Sequence, residues 1–172
     1  MKEIIKEIAQ VYEKIDVVEL KKAENLIFSH FNTQIVGVGA GRMGYSLQAF
    51  IMRLSHLGFN SYMLGDTTTP RIGEGDLVIV NSSSGETKSI VKYSEIAKSH
   101  GASIFVLTGG NNSSLERIAD FTLRYDLIES KQLMKTVYEQ FTFLLFDKIA
   151  ESLAIKVPLN REEIYENHSI LE

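Results

Sequence analysis

Five short apolar runs alternate with longer segments in which apolar residues recur at every third or fourth position. The runs have strand length and cover 35–38, 61–64, 77–80, 104–107 and 121–123. Helical spacing occupies 45–57, 87–99 and 115–119 between them. This alternation predicts an α/β fold, namely a three-layer α-β-α sandwich around a five-stranded parallel sheet with flavodoxin-like strand order.

Helical periodicity also flanks this core, residues 34–125, on both sides. An N-terminal helical arm covers residues 1–30, with Asp16 as the expected cap of a second helix. C-terminal helices are expected within 132–172, at 132–154 and about 161–168. The segment 132–154 is apolar around much of its circumference, which favours an interface with another copy of the chain. The alternative is a helix buried wholly within one copy.

Composition limits the classes of function. The chain has 172 residues, the length of one domain, and its net charge of −4, with no basic stripe, argues against a nucleic-acid partner. It contains no cysteine, which excludes disulfides, thiolate catalysis and cysteine-ligated zinc. No apolar run reaches the roughly 18 residues of a membrane span, and the acidic, amphipathic N-terminus is unlike a signal peptide. We expect a cytoplasmic protein with no membrane partner.

A loop of hydroxyl side chains connects the run 77–80 to the helix that follows. Its sequence is Ser82-Ser83-Ser84-Gly85-Glu86-Thr87. A helix N-terminus has unpaired backbone N–H groups and a partial positive charge, and hydroxyls add donors without adding charge. The loop therefore fits a phosphate monoester. The alternative is an ordinary capped, flexible loop.

A glycine-rich loop follows the first strand. Gly39, Gly41 and Gly44 match the spacing of a dinucleotide fingerprint, and Asp66 stands where a ribose-binding acid is expected. That interpretation leaves the loop 82–87 unused, whereas a sugar phosphate would use both loops. Three loops, 39–44, 65–70 and 82–87, are expected to converge at the carboxyl ends of the strands, where open parallel sheets bind ligands.

Several motifs resemble the sugar isomerase (SIS) domain. They are Gly39-Ala40-Gly41-Arg42, Thr67-Thr68-Thr69-Pro70, Gly73-Glu74-Gly75-Asp76-Leu77 and Ser82-x-Ser84-Gly85-Glu86-Thr87. Two further motifs most resemble the 6-phospho-3-hexuloisomerases within that family. They are Arg53-Leu54-x-His56-Leu57-Gly58-Phe59 and His168-x-x-Leu171-Glu172. The resemblance extends over nearly the whole chain and treats residues 1–172 as a single SIS domain.

The resemblance implies an isomerase that converts D-arabino-hex-3-ulose 6-phosphate to fructose 6-phosphate in the ribulose monophosphate route. The reaction passes through a 2,3-enediol and depends on acid–base groups, so the resemblance implies no cofactor and no metal. A homotetramer is the assembly that it implies.

The resemblance also implies roles for individual residues. The substrate and phosphate would contact Gly41, Arg42, Ser82, Ser83, Ser84 and Thr87, with the Ser83 amide facing the phosphate. Glu139 would be the catalytic base. His168 would reach the site of a neighbouring subunit and serve ring opening or proton transfer.

The chain departs from the family pattern near the reacting end of the sugar. Met43 stands where the family has a serine, and Leu133-Met134-Lys135 replaces Pro-Met-Gly, so Lys135 adds a cation. A second hypothesis is therefore a SIS protein for a different phosphosugar, either a divergent isomerase or a non-catalytic sensor. The dinucleotide-binding protein is a third.

Overall fold

A five-stranded, all-parallel sheet forms the centre of the computed structural model, which describes residues 1–170. The order is β2-β1-β3-β4-β5, which confirms the flavodoxin-like prediction. The strands are β1 Gln34–Gly39, β2 Asn60–Met63, β3 Leu77–Asn81, β4 Ser103–Thr108 and β5 Phe121–Arg124. Every residue of β3 is buried, as its position between β1 and β4 and its apolar sequence require.

Seven helices accompany the strands within residues 1–170. They are α1 Lys2–Tyr12, α2 Val17–Ser29, α3 Gly41–His56, α4 Lys88–Ser99, α5 Ser114–Ile118, α6 Thr136–Ala154 and α7 Arg161–Glu166. The Asp16 carboxylate caps α2 by accepting from the N–H groups of Val18 and Glu19, as expected. In this part of the chain no helix has the length and apolar character needed to cross a membrane.

Two helix starts differ from the sequence prediction. The helix α3 begins at Gly41 rather than near Tyr45, because its first turn carries two glycines and no apolar periodicity to reveal it. The helix α6 begins at Thr136 rather than at 132. Met134 has a φ of 53°, a left-handed conformation that interrupts a helix.

Helices cover both faces of the sheet, which confirms the three-layer sandwich. On one face α1, α2, α3 and α6 form the larger core, where Phe50 of α3 stacks on Phe146 of α6 with ring centroids 4.6 Å apart. On the other face α4 and α5 bring Ile90 and Leu115 against the remaining strand side chains. The carboxyl ends of the strands therefore open between α3, α4 and α6.

The helix α6 is buried on one side only. Phe141, Leu145 and Ile149 are fully buried, whereas Phe143 and Leu144 remain about half exposed, at 45% and 53%. One copy of the chain thus covers most, but not all, of the apolar circumference. Association of copies through this helix stays a prediction.

Candidate functional site

A cleft of about 290 Å³ lies at the carboxyl edge of the sheet. Its lining consists of Ala40, Gly41, Arg42, Met43, Asn81, Ser82, Ser83, Thr87, Ile90, Met134, Lys135 and Glu139. Two of the three expected loops contribute, and the segment before α6 takes the place of residues 65–70. The expected convergence of all three loops was therefore wrong, since strand ends identify an edge of the sheet but not which chain segment covers it.

Three helix N-termini meet at this cleft. The N-cap residues of α3, α4 and α6 are Ala40, Thr87 and Lys135, and none of them caps its helix with a side-chain hydrogen bond. In contrast, α2, α5 and α7 are capped by the side chains of Asp16, Ser113 and Asn160, which do not line the cleft. Uncapped N-termini leave backbone N–H donors and partial positive charge for a ligand. The cleft is therefore suited to an anion such as phosphate.

The hydroxyls of the loop 82–87 are not equivalent. Ser82, Ser83 and Thr87 line the cleft. Ser84 does not, and its Oγ accepts a hydrogen bond from the backbone N–H of Glu86 at 3.2 Å. The structure thus places three of the four predicted hydroxyl residues together, and the binding role that the motif assigns to Ser84 is left to a substitution at that residue to test.

The helix α5 supports this loop from behind. Gly85 has a φ of +68°, and a Cβ there would lie 2.2 Å from the Ser113 Oγ, so only glycine fits. The Glu86 carboxylate accepts hydrogen bonds from the Ser114 backbone N–H and hydroxyl, at 2.7 and 2.8 Å. These two hydrogen bonds lower the pKa of Glu86, and the bond from the Ser114 hydroxyl has the larger effect. Sequence reasoning missed this support because the partners are 28 residues apart and share no local pattern.

An ion pair joins the first turns of α3 and α6 at the cleft. The Arg42 Nε of α3 donates to the Oε2 of Glu139 in the first turn of α6. The Arg42 side chain is largely exposed, whereas that of Glu139 is only 15% exposed. The two predicted residues are thus together, and a carboxylate able to accept a proton lies in the same cleft as the phosphate-type loop.

A buried polar network lies behind this ion pair. The Asn81 Nδ2 donates to the Met43 carbonyl at 2.9 Å and to the Ser46 Oγ at 3.0 Å. The hydroxyls of Ser46 and Thr142 are 3.0 Å apart, and Thr142 also donates to the Glu139 carbonyl at 3.2 Å. The network therefore fixes α3 and α6 against the end of β3. Sequence reasoning missed it, because polar residues on three separate elements give no common motif.

His168 is remote from Glu139 within one chain. Its ring lies against that of His56, with centroids 5.0 Å apart, at the end of α3 opposite Arg42. At about 1.5 Å of rise per residue, the helix separates these ends by roughly 20 Å. His168 could therefore join a Glu139 only on another copy of the chain. The residues Leu171 and Glu172 of the tail motif lie outside the described residues.

The glycine fingerprint has a packing explanation. A Cβ on Gly39 would lie 2.9 Å from the Gly44 Cα, and one on Gly44 would lie 3.0 Å from the Gly39 backbone. These two glycines therefore allow α3 to approach the end of β1 closely. Gly41, with a φ of +56°, has open space around it and lines the cleft. The fingerprint spacing thus requires no dinucleotide.

Comparisons with a family model and with individual proteins point to the same family. Residues 28–146 match the SIS domain. The chain is 36% identical over 159 residues to a 3-hexulose-6-phosphate isomerase of Bacillus subtilis, covering 87% of this chain and 84% of the relative. It is 36% identical over 142 residues to one of Mycobacterium gastri, covering 78% and 71%.

A solved structure agrees with these relatives. A hypothetical protein of Methanococcus jannaschii, whose crystal structure was taken to infer the function of 3-hexulose-6-phosphate isomerase, superposes with a TM-score of 0.87 at 29% identity, covering 99% of this chain and 98% of that one. The chain therefore belongs to the SIS-domain family and, within it, to the isomerases that these relatives represent.

Proposed function

We propose that this protein is a 3-hexulose-6-phosphate isomerase that converts D-arabino-hex-3-ulose 6-phosphate to fructose 6-phosphate. The observation that carries the proposal is one cleft that brings together hydroxyls, uncapped helix N-termini and a carboxylate, that of Glu139. The names of the relatives support the same substrate. Since this substrate is the adduct of formaldehyde and ribulose 5-phosphate, the reaction would belong to the ribulose monophosphate route.

Binding is proposed to begin at the phosphate. The dianion would accept hydrogen bonds from the hydroxyls of Ser82 and Thr87, from the backbone N–H of Ser83 in the loop, and from the N–H groups at the start of α4. Arg42 would then orient the sugar, and its hydrogen bond to Glu139 would open or shift as substrate enters. With the phosphate held there, the carbon chain of the sugar would extend towards Glu139.

The chemistry requires a proton to move between two carbons. Glu139 would take the proton from C2, and the C–H electron pair would form the C2=C3 double bond while the C3 carbonyl oxygen becomes an enediol oxygen. The C2 hydroxyl then becomes the new carbonyl by passing its proton to the C3 oxygen, which completes the C3 hydroxyl, and C3 receives the proton held by Glu139. The sum is an isomerisation without oxidant or reductant, for which a positioned carboxylate is a suitable base.

We further propose that the working unit is a homo-oligomer. His168 lies at the end of α3 opposite Arg42, so that its proposed role in ring opening or proton transfer requires the site of another copy. The exposed side chains of Phe143 and Leu144 on α6 offer an apolar surface for such contact.

A coupled assay tests the function. Hexulose 6-phosphate, made in place from formaldehyde and ribulose 5-phosphate by a synthase, is offered to the protein, and fructose 6-phosphate is followed. We expect turnover above roughly 1 s⁻¹. The substitution Glu139→Gln should lower kcat by about 10²–10⁴-fold with little change in phosphosugar affinity, since general-base catalysis is lost.

The exposed Glu151 of the same helix provides the matched control, and Glu151→Gln should leave kcat unchanged. Turnover that survives in Glu139→Gln would refute Glu139 as the base. Stabilisation of the protein by fructose 6-phosphate without any turnover would instead identify a phosphosugar sensor.

A further inference from the structure

Lys135 places a positive charge in the cleft, and the mechanism proposed above gives it no role. It is the N-cap residue of α6, it is exposed, and it lines the cleft beside Glu139. Its ammonium lies 5.6 Å from the centre of the Tyr138 ring. Within residues 1–170 no carboxylate pairs with it, whereas the other charged groups of the lining, Arg42 and Glu139, pair with each other.

The backbone places Lys135 and Glu139 one helical turn apart. The Glu139 N–H donates to the Lys135 carbonyl at 3.3 Å. Residues separated by four positions lie on the same side of a helix, so that the start of α6 presents an ammonium and a carboxylate to one cleft. Ser82, Ser83 and Thr87 of the phosphate loop line the same cleft.

Proton abstraction next to a carbonyl needs a positive partner for the oxygen. As the C–H electron pair enters the C2=C3 bond, the π electrons of the C3 carbonyl move onto its oxygen, and this negative charge must be stabilised. In the proposed mechanism Arg42 orients the sugar, and the hydroxyls bind the phosphate. Lys135 is the cation that remains for this oxygen.

We propose that Lys135 is a catalytic electrophile, whose ammonium donates a hydrogen bond to the C3 carbonyl oxygen and stabilises the enediolate that Glu139 generates. The inference rests on the proposed function. A cation at this distance from an aromatic ring is held only weakly, and lysine has a flexible four-carbon stem. The ammonium can therefore leave Tyr138 for the substrate, while the uncapped N-terminus of α6 adds positive potential at the same wall.

The test compares Lys135→Met with Lys131→Met in kinetics and in binding. Lys131 lies in the same segment but lines a different surface, near Glu7. We expect Lys135→Met to lower kcat by about 10²–10³-fold, with KM for hexulose 6-phosphate changed by less than about threefold. Lys135→Arg should retain part of the activity, and Lys131→Met should resemble the wild type.

The binding probe is 4-phospho-D-erythronohydroxamate, whose planar C(=O)–N–OH unit stands for the enediolate oxygens. Because catalysis is differential binding, Lys135→Met should weaken the hydroxamate by about 30-fold or more, yet fructose 6-phosphate by less than about threefold. Equal weakening of both ligands, or a raised KM with unchanged kcat, would show a phosphate contact and overturn the proposal.

The binding measurements distinguish a failure of the role proposed for Lys135 from a failure of the proposed function. If the wild type binds both ligands but does not turn over hexulose 6-phosphate, the proposed function fails, and the difference between the two affinities still decides the contact of Lys135. If the wild type binds neither ligand, both proposals fail.

Discussion

At the scale of single residues, the loop 82–87 shows where motif and geometry diverge. The motif gives Ser82, Ser83, Ser84 and Thr87 one common role. In the structure the side chain of Ser84 is exposed, turned to the Glu86 N–H and absent from the lining, whereas Thr87 lines the cleft at the start of α4. Two hydroxyls three residues apart should therefore differ in their effect on binding.

The substitution Thr87→Val keeps the shape of the side chain and removes its hydroxyl. A hydrogen bond to a charged group contributes about 1.5–3 kcal/mol, so KM for the phosphosugar should rise by roughly 10- to 100-fold. The matched change Ser84→Ala should alter KM by less than about threefold. Steady-state kinetics of both variants check this expectation, and a larger effect at Ser84 would assign the phosphate to the outer side of the loop.

The residues that sequence could predict are those whose role is local. The hydroxyl loop follows a buried strand and opens a helix, a context that fits either an anion site or an ordinary capped loop, and the other SIS-like motifs favour the anion site. The segment that brings Lys135 into the cleft depends on Glu7 of α1, whose carboxylate accepts hydrogen bonds from Ser130, Lys131 and Gln132. The side chain of Asn81 likewise makes its hydrogen bonds to residues of α3 and α6, which are distant in the sequence. Contacts of such long sequence separation leave no spacing to detect.

At the scale of elements, the link between the loop and α5 depends on the charge of Glu86. Hydrogen bonds from the Ser114 hydroxyl and N–H lower the pKa of Glu86. Because the folded pKa lies below that of the unfolded chain, near 4.3, the stabilisation is fully present above that pH. It is lost as the pH falls through the lowered, folded pKa.

Replacing Glu86 by Gln should therefore lower the free energy of unfolding at pH 7. The deficit relative to the wild type should shrink as the pH falls below about 4, where the carboxyl becomes protonated and resembles the amide. Urea unfolding between pH 7 and pH 3 measures this difference, with the exposed Glu95 of α4, as Glu95→Gln, for comparison. A deficit that is independent of pH would show that the charge of Glu86 has no part in it.

Apolar periodicity predicted the positions of the helices and strands, but not the first residues of α3 and α6. Apolar spacing identifies the interior of a helix, because burial imposes it. The first turn of α3 faces the cleft and carries Gly41 and Arg42 in place of apolar residues, so that periodicity begins only later. Before α6, the apolar Leu133 and Met134 extend the pattern, although the left-handed conformation of Met134 keeps them out of the helix. The errors in the predicted helix starts therefore lie at the site itself.

At the scale of the whole molecule, strand order was predictable and the complete site was not. Short crossovers between parallel strands leave few topologies, and the observed order is one of them. His168 lies beside His56, at the end of α3 away from the cleft. The predicted acid–base pair of Glu139 and His168 therefore requires two copies of the chain.

An experiment that mixes two inactive variants tests whether Glu139 and His168 of different copies share one site. If a site takes Glu139 from one copy and His168 from another, Glu139→Gln and His168→Ala oligomers should regain activity when they are dissociated, mixed and reassembled. Random assembly unites an intact Glu139 with an intact His168 in about a quarter of the sites, and the regained activity should approach that fraction of the wild type. Each variant treated alone is the control. Activity that stays at the level of the two inactive variants would refute a site shared between copies, and a His168→Ala variant that is active on its own would exclude His168 from the chemistry.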